Sequence, residues 1–251
     1  MDNVIKLYKK IAETPLEALQ RLRKLKQIPK EVPMAYAGRL DPAAHGLLLV
    51  LVGDECKNRD FYQNLDKEYV VEVILGVSTD TFDLLGVITD VQESVSDIIL
   101  NKFLNIMTDW DKVYNQSYPP YSSYHVKGKP LFWWAREKRL DEIQIPSKEV
   151  TINSFEIVNK SKILRQDLLT LQSHITSSVN GDFRQKEINR SWREKQDQLP
   201  EQLIQIKLKL SVKSGFYVRQ FIKDVASASK IPAVVKDIYR TQVGPYELES
   251  L

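Results

Sequence analysis

Two short segments combine chemically reactive side chains with the tight backbone that would expose them. The first, Gly-Arg-Leu-Asp-Pro at 38–42, holds Asp41 in a turn that leads into an apolar strand. A carboxylate there is either the former of an Asx-type turn or a reactive group, and composition alone favours the turn, because Asp-Pro is common in turns. The second segment, Lys-Ser-Gly-Phe-Tyr-Val-Arg at 213–219, brings Tyr217 and Arg219 to a junction between a strand and a helix.

The arginine of the second segment is unusually placed for a surface charge. Arg219 falls in the first turn of the predicted helix, where a cation opposes the helix dipole. A carboxylate nearby would remove that conflict, and Asp41 is a candidate for it. A third segment, Lys-Glu-Tyr at 67–69, places Tyr69 at the start of a strand, where a tyrosine is more often a core residue than a catalytic one.

The composition limits the class of protein. Of 251 residues, 43% are hydrophobic and 27% are charged, which is typical of a globular chain with a substantial core. The formal charge of +3 is by itself weak evidence for an acidic partner. The longest apolar run, at 47–52, is too short to cross a bilayer, and the N-terminus lacks the apolar region of a signal peptide. We therefore expect a soluble, cytoplasmic protein with no membrane partner.

Cysteine and histidine usage argues against a disulfide or a metal site. Cys56 is the one cysteine, and the three histidines, His45, His125 and His174, are scattered along the chain. Neither set has the spacing of metal ligands. We expect no metal.

Start and stop signals divide the chain into elements. Thr14, Pro15 and Glu17 begin a helix whose leucines recur at helical spacing beside several basic residues. Further helices are predicted at 96–109, just after Gly128, and at 217–229. Strands are predicted at 47–52, 66–76, 86–91, 148–158, 165–172, 203–212 and near the C-terminus, with 86–91 as the hairpin partner of 66–76. The simplest architecture is an α+β fold, a mixed and mainly antiparallel central sheet flanked by helices and loops.

Residues 174–202 stand apart from this pattern. They are polar and rich in charge, with Phe183, Ile188 and Trp192 at roughly helical spacing. This spacing predicts a helical insertion on the surface of a single domain that spans 1–251.

Four blocks in order along nearly the whole chain resemble the TruB family of pseudouridine synthases. They are AGRLDPAAHGLLLVLVGDECK at 37–57, DKEYVVEVILGVSTDTFDLLGVI at 66–88, PPYSSYHVKGKPLFWWAR at 119–136, and SVKSGFYVRQFIKDVASAS with YRTQVGPY within 211–246. The tetrapeptide GRLD alone would be less specific, because the RluA and RsuA classes of the same superfamily carry a similar one. The resemblance implies the pseudouridine synthase catalytic fold.

The resemblance also implies roles for individual residues. Asp41 matches the catalytic aspartate of the family. Tyr69 matches the tyrosine that stacks on the flipped base and is placed to act as a proton acceptor, and Arg219 matches the arginine that pairs with the aspartate. Tyr217 lies two residues before that arginine, as in the family pattern.

Four further positions are expected to contact the substrate. Lys57 corresponds to a basic residue that follows the first motif, and Ile238 to an aliphatic residue that packs against the base. Arg39 lies within the motif itself. Tyr36 stands where bacterial members have a histidine that intrudes into the T-loop, so a stacking role could survive while hydrogen bonding would differ.

The activity implied by the resemblance is isomerisation of uridine to pseudouridine, most naturally uridine 55 in the T-arm of tRNA, by a monomer that needs no cofactor. A ribosomal-RNA pseudouridine synthase is an alternative, although the missing N-terminal domain and the SVKSGFYVR block argue against it. A non-catalytic RNA-binding or tRNA-folding chaperone is a second alternative, against which intact Asp41, Tyr69 and Arg219 count.

Two departures from the family pattern affect RNA binding. The opening segment at 7–15 keeps little of the family's sequence beyond Lys9 and Thr14. The sequence also ends soon after the last predicted strand, which implies a short form without the small C-terminal RNA-binding domain of many relatives. The phosphate contacts are then expected from the core, and from the basic first helix more than from the insertion, whose charges nearly cancel.

Overall fold

The computed structural model describes residues 3–248, so the outermost residues of the expected 1–251 domain lie outside the described part. Nine strands of that part form one sheet, in the order β1-β3-β12-β4-β11-β10-β7 with β2 beside β3 and β13 beside β12. The strands of this sheet are β1 (Val4–Lys9), β2 (Met34–Ala37), β3 (Ala44–Val52), β4 (Lys67–Leu75), β7 (Val113–Ser117), β10 (Ser147–Leu164), β11 (Gln202–Val212), β12 (Ala233–Val243) and β13 (Tyr246–Glu247).

Two small hairpins and seven α-helices complete the described part. The hairpins are β5 (Val77–Thr79) with β6 (Ile88–Val91), and β8 (His125–Val126) with β9 (Lys129–Pro130). The helices are α1 (Pro15–Leu25), α2 (Arg59–Gln63), α3 (Asp97–Thr108), α4 (Leu131–Arg136), α5 (Arg165–Ser178), α6 (Gln185–Lys195) and α7 (Val218–Ser229).

The sheet is mixed and mainly antiparallel, as predicted. Among the paired strands in residues 3–248, only β3 and β12 run parallel, and every other pair is antiparallel. The apolar run in β3 is continuous because both of its faces are buried. Leu48 and Val50 pack with α1 on one face, whereas Leu47 and Leu49 pack with Tyr62 on the other.

The sequence signals at the helix termini are confirmed. Thr14 caps α1 in a complete capping box, in which its hydroxyl accepts from the Glu17 amide and the Glu17 carboxylate accepts from the Thr14 amide. Ser96 caps α3, and Tyr217 is the N-cap of α7. The predicted boundaries of these helices therefore hold to within a residue or two.

Two predictions about elements are wrong. The segment 165–172 is the first part of helix α5 rather than a strand. Leu169 and Leu171 suggest alternation, but the side chains that the fold buries are Leu168, Gln172 and Ile175, which recur with the helical period.

The partner of strand 86–91 also differs from the prediction. β6 pairs with β5, the short strand that follows Gly76, and not with β4 itself. Gly76 has φ of +97°, in the left-handed region, so the chain turns sharply there and leaves the central sheet. The β5–β6 hairpin is consequently a separate two-stranded sheet beside it.

The polar segment predicted as an insertion is helical and begins earlier than expected. β10 and β11 pair as a long hairpin up to Leu164 and Gln202, and the helices α5 and α6 connect these two ends. Ile188 and Trp192 are fully buried. The insertion is therefore packed onto the rest of the protein on one side. Within residues 3–248 no helix is both long and apolar enough to span a membrane.

Candidate active site

Asp41 lies in the turn between β2 and β3, and hydrogen bonds to its carbonyl groups stabilise the backbone of this turn. The Asp41 carbonyl accepts from the Ala44 amide at 3.0 Å, and the Pro42 carbonyl accepts from the Ala12 amide at 2.8 Å. Fully buried Lys9 donates to the carbonyl of Ala44 at 2.5 Å. Burial lowers the pKa of Lys9 to about 8, although the Asp41 carboxylate partly opposes this. Backbone hydrogen bonds and the Lys9 side chain therefore hold the turn, and the Asp41 side chain is left for another partner.

That partner is Arg219. Its Nε and Nη2 atoms lie 2.8 and 2.7 Å from Asp41 Oδ2. The Arg219 side chain is 3% exposed and that of Asp41 is 40% exposed. The arginine thus reaches the carboxylate from inside the protein, and the carboxylate presents its other oxygen to solvent.

A second carboxylate shares the guanidinium. Asp83 Oδ2 lies 3.4 Å from Arg219 Nε, and the Thr81 hydroxyl donates to Asp83 Oδ1 at 2.7 Å. Burial raises the pKa of Asp83, and Arg219 and Thr81 only partly offset it. Burial alone would lower the pKa of Arg219, but Asp41 and Asp83 raise it overall. Arg219 is therefore a permanent cation whose position is fixed by two acids.

Asp41 opens onto a first cavity of about 370 Å³. Tyr69 from β4 and Ile238 from β12 form its apolar wall, at 8% and 7% exposure. Tyr217 lines it too, and burial, followed by the Asp41 charge, raises the pKa of its hydroxyl to about 12. The structure thus brings together all three residues predicted as catalytic, with three of those predicted to bind the substrate, Tyr217, Ile238 and Arg39.

Basic side chains surround the first cavity. Its lining includes Arg39, Arg59, Lys67, Lys148, Lys213 and Arg240. The Lys148 side chain packs against Gly215. A Cβ atom at position 215 would lie 1.5 Å from Lys148 Nζ, so the glycine leaves the space that the lysine fills. The cavity therefore suits an anionic ligand with an aromatic part.

Sequence reasoning missed Lys67 and Arg240. Arg240 is 1% exposed and lies opposite Tyr69 in the β4–β12 register, where it donates to the carbonyls of Leu47 and Gly38 at 2.7 and 3.2 Å. Burial lowers the pKa of Lys67 to about 8, and the charge of Arg240 adds to this effect. The available signal was the alternation of Ile238 and Arg240, which puts a charge at an inward position of a strand.

A second cavity, of about 440 Å³, lies on the other side of the Asp41–Arg219 pair. Tyr36, Phe132, Phe183, Arg136 and Arg184 line it, whereas Arg39, Leu40, Asp41, Ser123 and Arg219 line both cavities. Tyr36 and Arg39 are thus at the site, although Tyr36 lies in the second cavity. Phe183 and Arg184 come from the loop between α5 and α6, which was not predicted to reach the site.

Lys57 is not brought to either cavity. Its side chain is 80% exposed, and its Nζ lies 2.6 Å from Asp54 Oδ1.

Two basic residues of α1 already have partners within the protein. Arg21 pairs with Glu13 at 2.7 Å, and Arg23 donates to the carbonyls of Ile28, Pro29 and Val32. Lys24 and Lys26 remain exposed, and the expectation that this helix supplies phosphate contacts stays a prediction. Within residues 3–248, no three His, Cys, Asp or Glu side chains cluster as a metal site would require.

Two solved structures have a fold similar to that of this chain. The chain matches the crystal structure of a Cbf5-Nop10-Gar1 complex with a TM-score of 0.59 and 16% identity, over 98% of this chain and 50% of that one. It also matches the structure of an H/ACA RNP bound to a substrate RNA containing 2′-deoxyuridine. The TM-score there is 0.55 at 15% identity, and the match covers 98% of this chain and 49% of that one. The chain thus spans about half of these chains, and the likeness defines the class of fold.

Sequence comparison identifies the family within that class. The model of the TruB family pseudouridylate synthase, N-terminal domain, matches residues 26–180. tRNA pseudouridine synthase B of Caldanaerobacter subterraneus is 26% identical over 250 residues, which cover 100% of this chain and 72% of the relative. The same enzyme of Limosilactobacillus reuteri is 26% identical over 249 residues, or 99% and 69%. The chain belongs to the TruB family of pseudouridylate synthases.

Proposed function

We propose that this protein converts a uridine of tRNA into pseudouridine, and that its target is uridine 55 in the T-arm. The observation that carries the proposal is the partly exposed Asp41 carboxylate, which is fixed by buried Arg219 and lines the same basic cavity as Tyr69. The names of the relatives, all tRNA pseudouridine synthase B, support tRNA as the RNA.

The reaction explains why these residue types are needed. The N1–C1′ bond breaks, the base turns, C5 bonds to C1′, and the proton lost from C5 is balanced by one gained at N1. The base must leave the helical stack to do this. Asp41 is the nucleophile that holds the intermediate while the base turns. Arg219 orients that carboxylate, because it is itself a buried and permanent cation.

Tyr69 and Ile238 would hold the flipped base. A tyrosine ring offers a flat surface to any pyrimidine, and its hydroxyl can reach the sugar. Both side chains are almost fully buried and belong to neighbouring strands, so the slot for the base does not need to form on binding. The isomerisation has no net oxidation or reduction, and the proposed steps use side chains only.

The cationic rim of the first cavity would bind the phosphates on either side of the target uridine. Arg39, Lys148 and Lys213 line this cavity, and the adjacent backbone of an RNA loop would pass within their reach. We infer that the protein works as a monomer in the cytoplasm, where its tRNA substrate is found.

The test is to incubate the purified protein with an unmodified tRNA transcript and to map pseudouridine at single-nucleotide resolution. We expect one product, at position 55, and none in a transcript with cytidine at that position. Asp41→Asn should give no product while it still binds the tRNA.

Each alternative predicts a different result of the same assay. Modification of a ribosomal-RNA fragment with none of tRNA would indicate the ribosomal-RNA enzyme. Tight tRNA binding with no pseudouridine, identical in wild type and Asp41→Asn, would indicate the chaperone.

A further inference from the structure

The α5–α6 insertion contacts the loops that hold Arg219. Buried side chains of both helices, among them Leu168, Ile188 and Trp192, pack in one cluster with residues of the β5–β6 hairpin and its turn. We propose that this insertion is a positioning element for the Asp41–Arg219 pair and that Arg184 is its positioning residue. The proposal rests on the proposed function, because it assigns a role in that same reaction.

Arg184, in the loop between the two helices, ties two other loops together. Its Nη1 and Nη2 atoms lie 2.7 and 3.2 Å from the two carboxylate oxygens of Asp80. Its Cζ lies 4.3 Å from the centre of the Tyr121 ring, and the Tyr121 hydroxyl donates to Asp80 at 3.0 Å. The side chains of Arg184 and Asp80 are 15% and 25% exposed. Such a two-point, enclosed contact has the defined geometry that an exposed ion pair lacks.

Arg219 uses the same two loops. Its Nη1 donates to the carbonyl of Thr81, the residue after Asp80, at 2.5 Å. Its Nη2 donates to the carbonyl of Tyr121 at 3.4 Å. Arg184 therefore holds the side chains, and Arg219 the backbone, of one pair of loops. A movement of either loop displaces an acceptor of Arg219, and with it the guanidinium that orients Asp41.

Helix α6 fastens the turn of the β5–β6 hairpin as well. The indole N–H of Trp192 donates to the Gly86 carbonyl at 2.9 Å, and the Ser191 hydroxyl accepts from the Ile88 amide at 3.1 Å. Gly86 leaves no room for a side chain, because an added Cβ would be 2.3 Å from the Thr81 hydroxyl oxygen. The turn that α6 contacts is thus packed directly onto Thr81.

The ion pair needs such external support. Arg219 is one cation between two carboxylates, Asp41 and Asp83, and these repel each other. The hydrogen bonds to the Thr81 and Tyr121 carbonyls help to keep the guanidinium between them. A misplacement of about 1 Å at a reacting group costs on the order of 10²-fold in rate. Arg184, which links the two loops around Arg219, is therefore able to change the rate without contacting the substrate.

A direct contact of Arg184 with RNA is the competing role, because this side chain also lines the second cavity. The two roles differ in what they change. Loss of a phosphate contact weakens binding and reduces its salt dependence. Loss of a positioning contact lowers the rate of the chemical step when all the RNA is bound.

The experiment measures the dissociation constant for tRNA and the single-turnover rate at saturating protein for Arg184→Ala and Arg184→Lys. We expect Arg184→Ala to lower the rate by about 10-fold or more, with the dissociation constant within about 2-fold of the wild-type value. Arg184→Lys should recover part of the rate, because it restores one charged contact to Asp80. Arg190→Ala is the matched control on α6, since the Arg190 side chain is 78% exposed and pairs only with Glu194.

A second readout does not depend on activity. The Nε–H proton of Arg219, buried and hydrogen-bonded to Asp41, gives an NMR signal that Arg219→Lys would identify. The signal should shift or broaden in Arg184→Ala and in Asp80→Asn, and it should stay unchanged in Arg190→Ala. Asp80→Asn removes the same ion pair from the other side and replaces Arg184→Ala if that variant does not fold.

Three outcomes would overturn the proposal. They are an unchanged Arg219 signal in folded Arg184→Ala and Asp80→Asn, an unchanged saturating rate in both, and weaker tRNA binding at an unchanged saturating rate. The last would assign Arg184 to RNA. An inactive wild-type protein would instead reject the proposed function, and the NMR comparison would still decide whether Arg184 positions Arg219.

Discussion

Two clusters of acid, base and aromatic side chains lie near the same pair of strands, β3 and β12, but only one lines a cavity. Ala44 and Ile238, paired across these strands, face the first cavity beside Asp41 and Arg219. The next pair, His45 and Tyr239, points to the opposite side, where the rings stack at 4.8 Å.

The second cluster has the residue types of a catalytic site. His45 Nδ1 lies 2.8 Å from the Tyr8 hydroxyl, and His45 Nε2 lies 3.1 Å from Asp237. Neither cavity includes any of these residues. Residue types and hydrogen bonds are thus alike in the two places. The surroundings of the two carboxylates differ: Asp41 is held by the buried Arg219 side chain and lines a cavity, whereas Asp237 contacts His45 and lines neither cavity.

The largest expected effect is that of Asp41→Asn, which tests the first cluster directly. An amide cannot act as the nucleophile, so pseudouridine formation should fall by at least about 10³-fold. Single-turnover assays on a tRNA transcript measure the rate, and filter binding should show a dissociation constant close to that of the wild-type protein. A rate within tenfold of wild type, with deamidation excluded by mass spectrometry, would remove Asp41 from the mechanism.

Arg219→Lys is expected to have the next largest effect. Lysine keeps the positive charge but loses the fork that contacts Asp41, Asp83 and the Thr81 carbonyl together, so the rate should drop by about 10²-fold. Arg219→Ala should in addition lower the free energy of unfolding by about 3 kcal/mol, because it leaves Asp83 buried without its partner. Denaturant unfolding measures that loss. Equal stability of the two variants would contradict the buried pair.

Tyr69→Phe separates the ring of Tyr69 from its hydroxyl. The ring still stacks on the base, so the dissociation constant should stay within about 3-fold, while loss of the hydroxyl as a proton acceptor lowers the rate by about 10²-fold. Kinetics at saturating protein distinguish the two. A weaker dissociation constant at an unchanged rate would restrict Tyr69 to stacking.

Burial of Lys67 should make stability depend on pH. Its pKa falls to about 8 from 10.5 on folding. Between these values the unfolded chain binds more protons than the folded one, so stability should rise as the pH increases from 8 towards 9.5. Urea unfolding at both pH values should show a smaller rise in Lys67→Met than in the wild type, while exposed Lys24→Met keeps the full rise. Equal slopes in all three proteins would contradict the assignment.

The smallest effects are expected in the second cluster. Asp237→Asn and His45→Gln should leave the rate within about 2-fold of the wild-type value. Each should lower the free energy of unfolding by about 0.5 kcal/mol, because an ion pair that is partly exposed to water contributes little to stability. The same tRNA assay and urea unfolding measure both. A loss of rate comparable to that of Arg219→Lys would show that the two faces of the strands are coupled.

Much of the fold could be predicted because its signals are local. The capping box of α1, the Ser96 cap of α3 and the apolar run of β3 depend on side chains within a few residues of one another. The exception, α5, shows the limit of this reasoning. Its leucines fit both periods, and only packing against the β5–β6 hairpin selects the helical one.

Local sequence signals place Asp41 in a turn and Arg219 at the start of a helix, and both match a family pattern. They also suggest the pairing of the two residues, since a cation in the first turn of a helix needs an anion. The other side chains of the site become apparent when the chain is folded. Asp83, Arg240 and the Arg184 of the insertion reach the site through contacts between residues about 100 to 200 positions apart in the chain. Local spacing does not show which distant residues such contacts join. Nearness in sequence is no better guide, because Lys57, close to the motif, pairs with Asp54 and lines neither cavity.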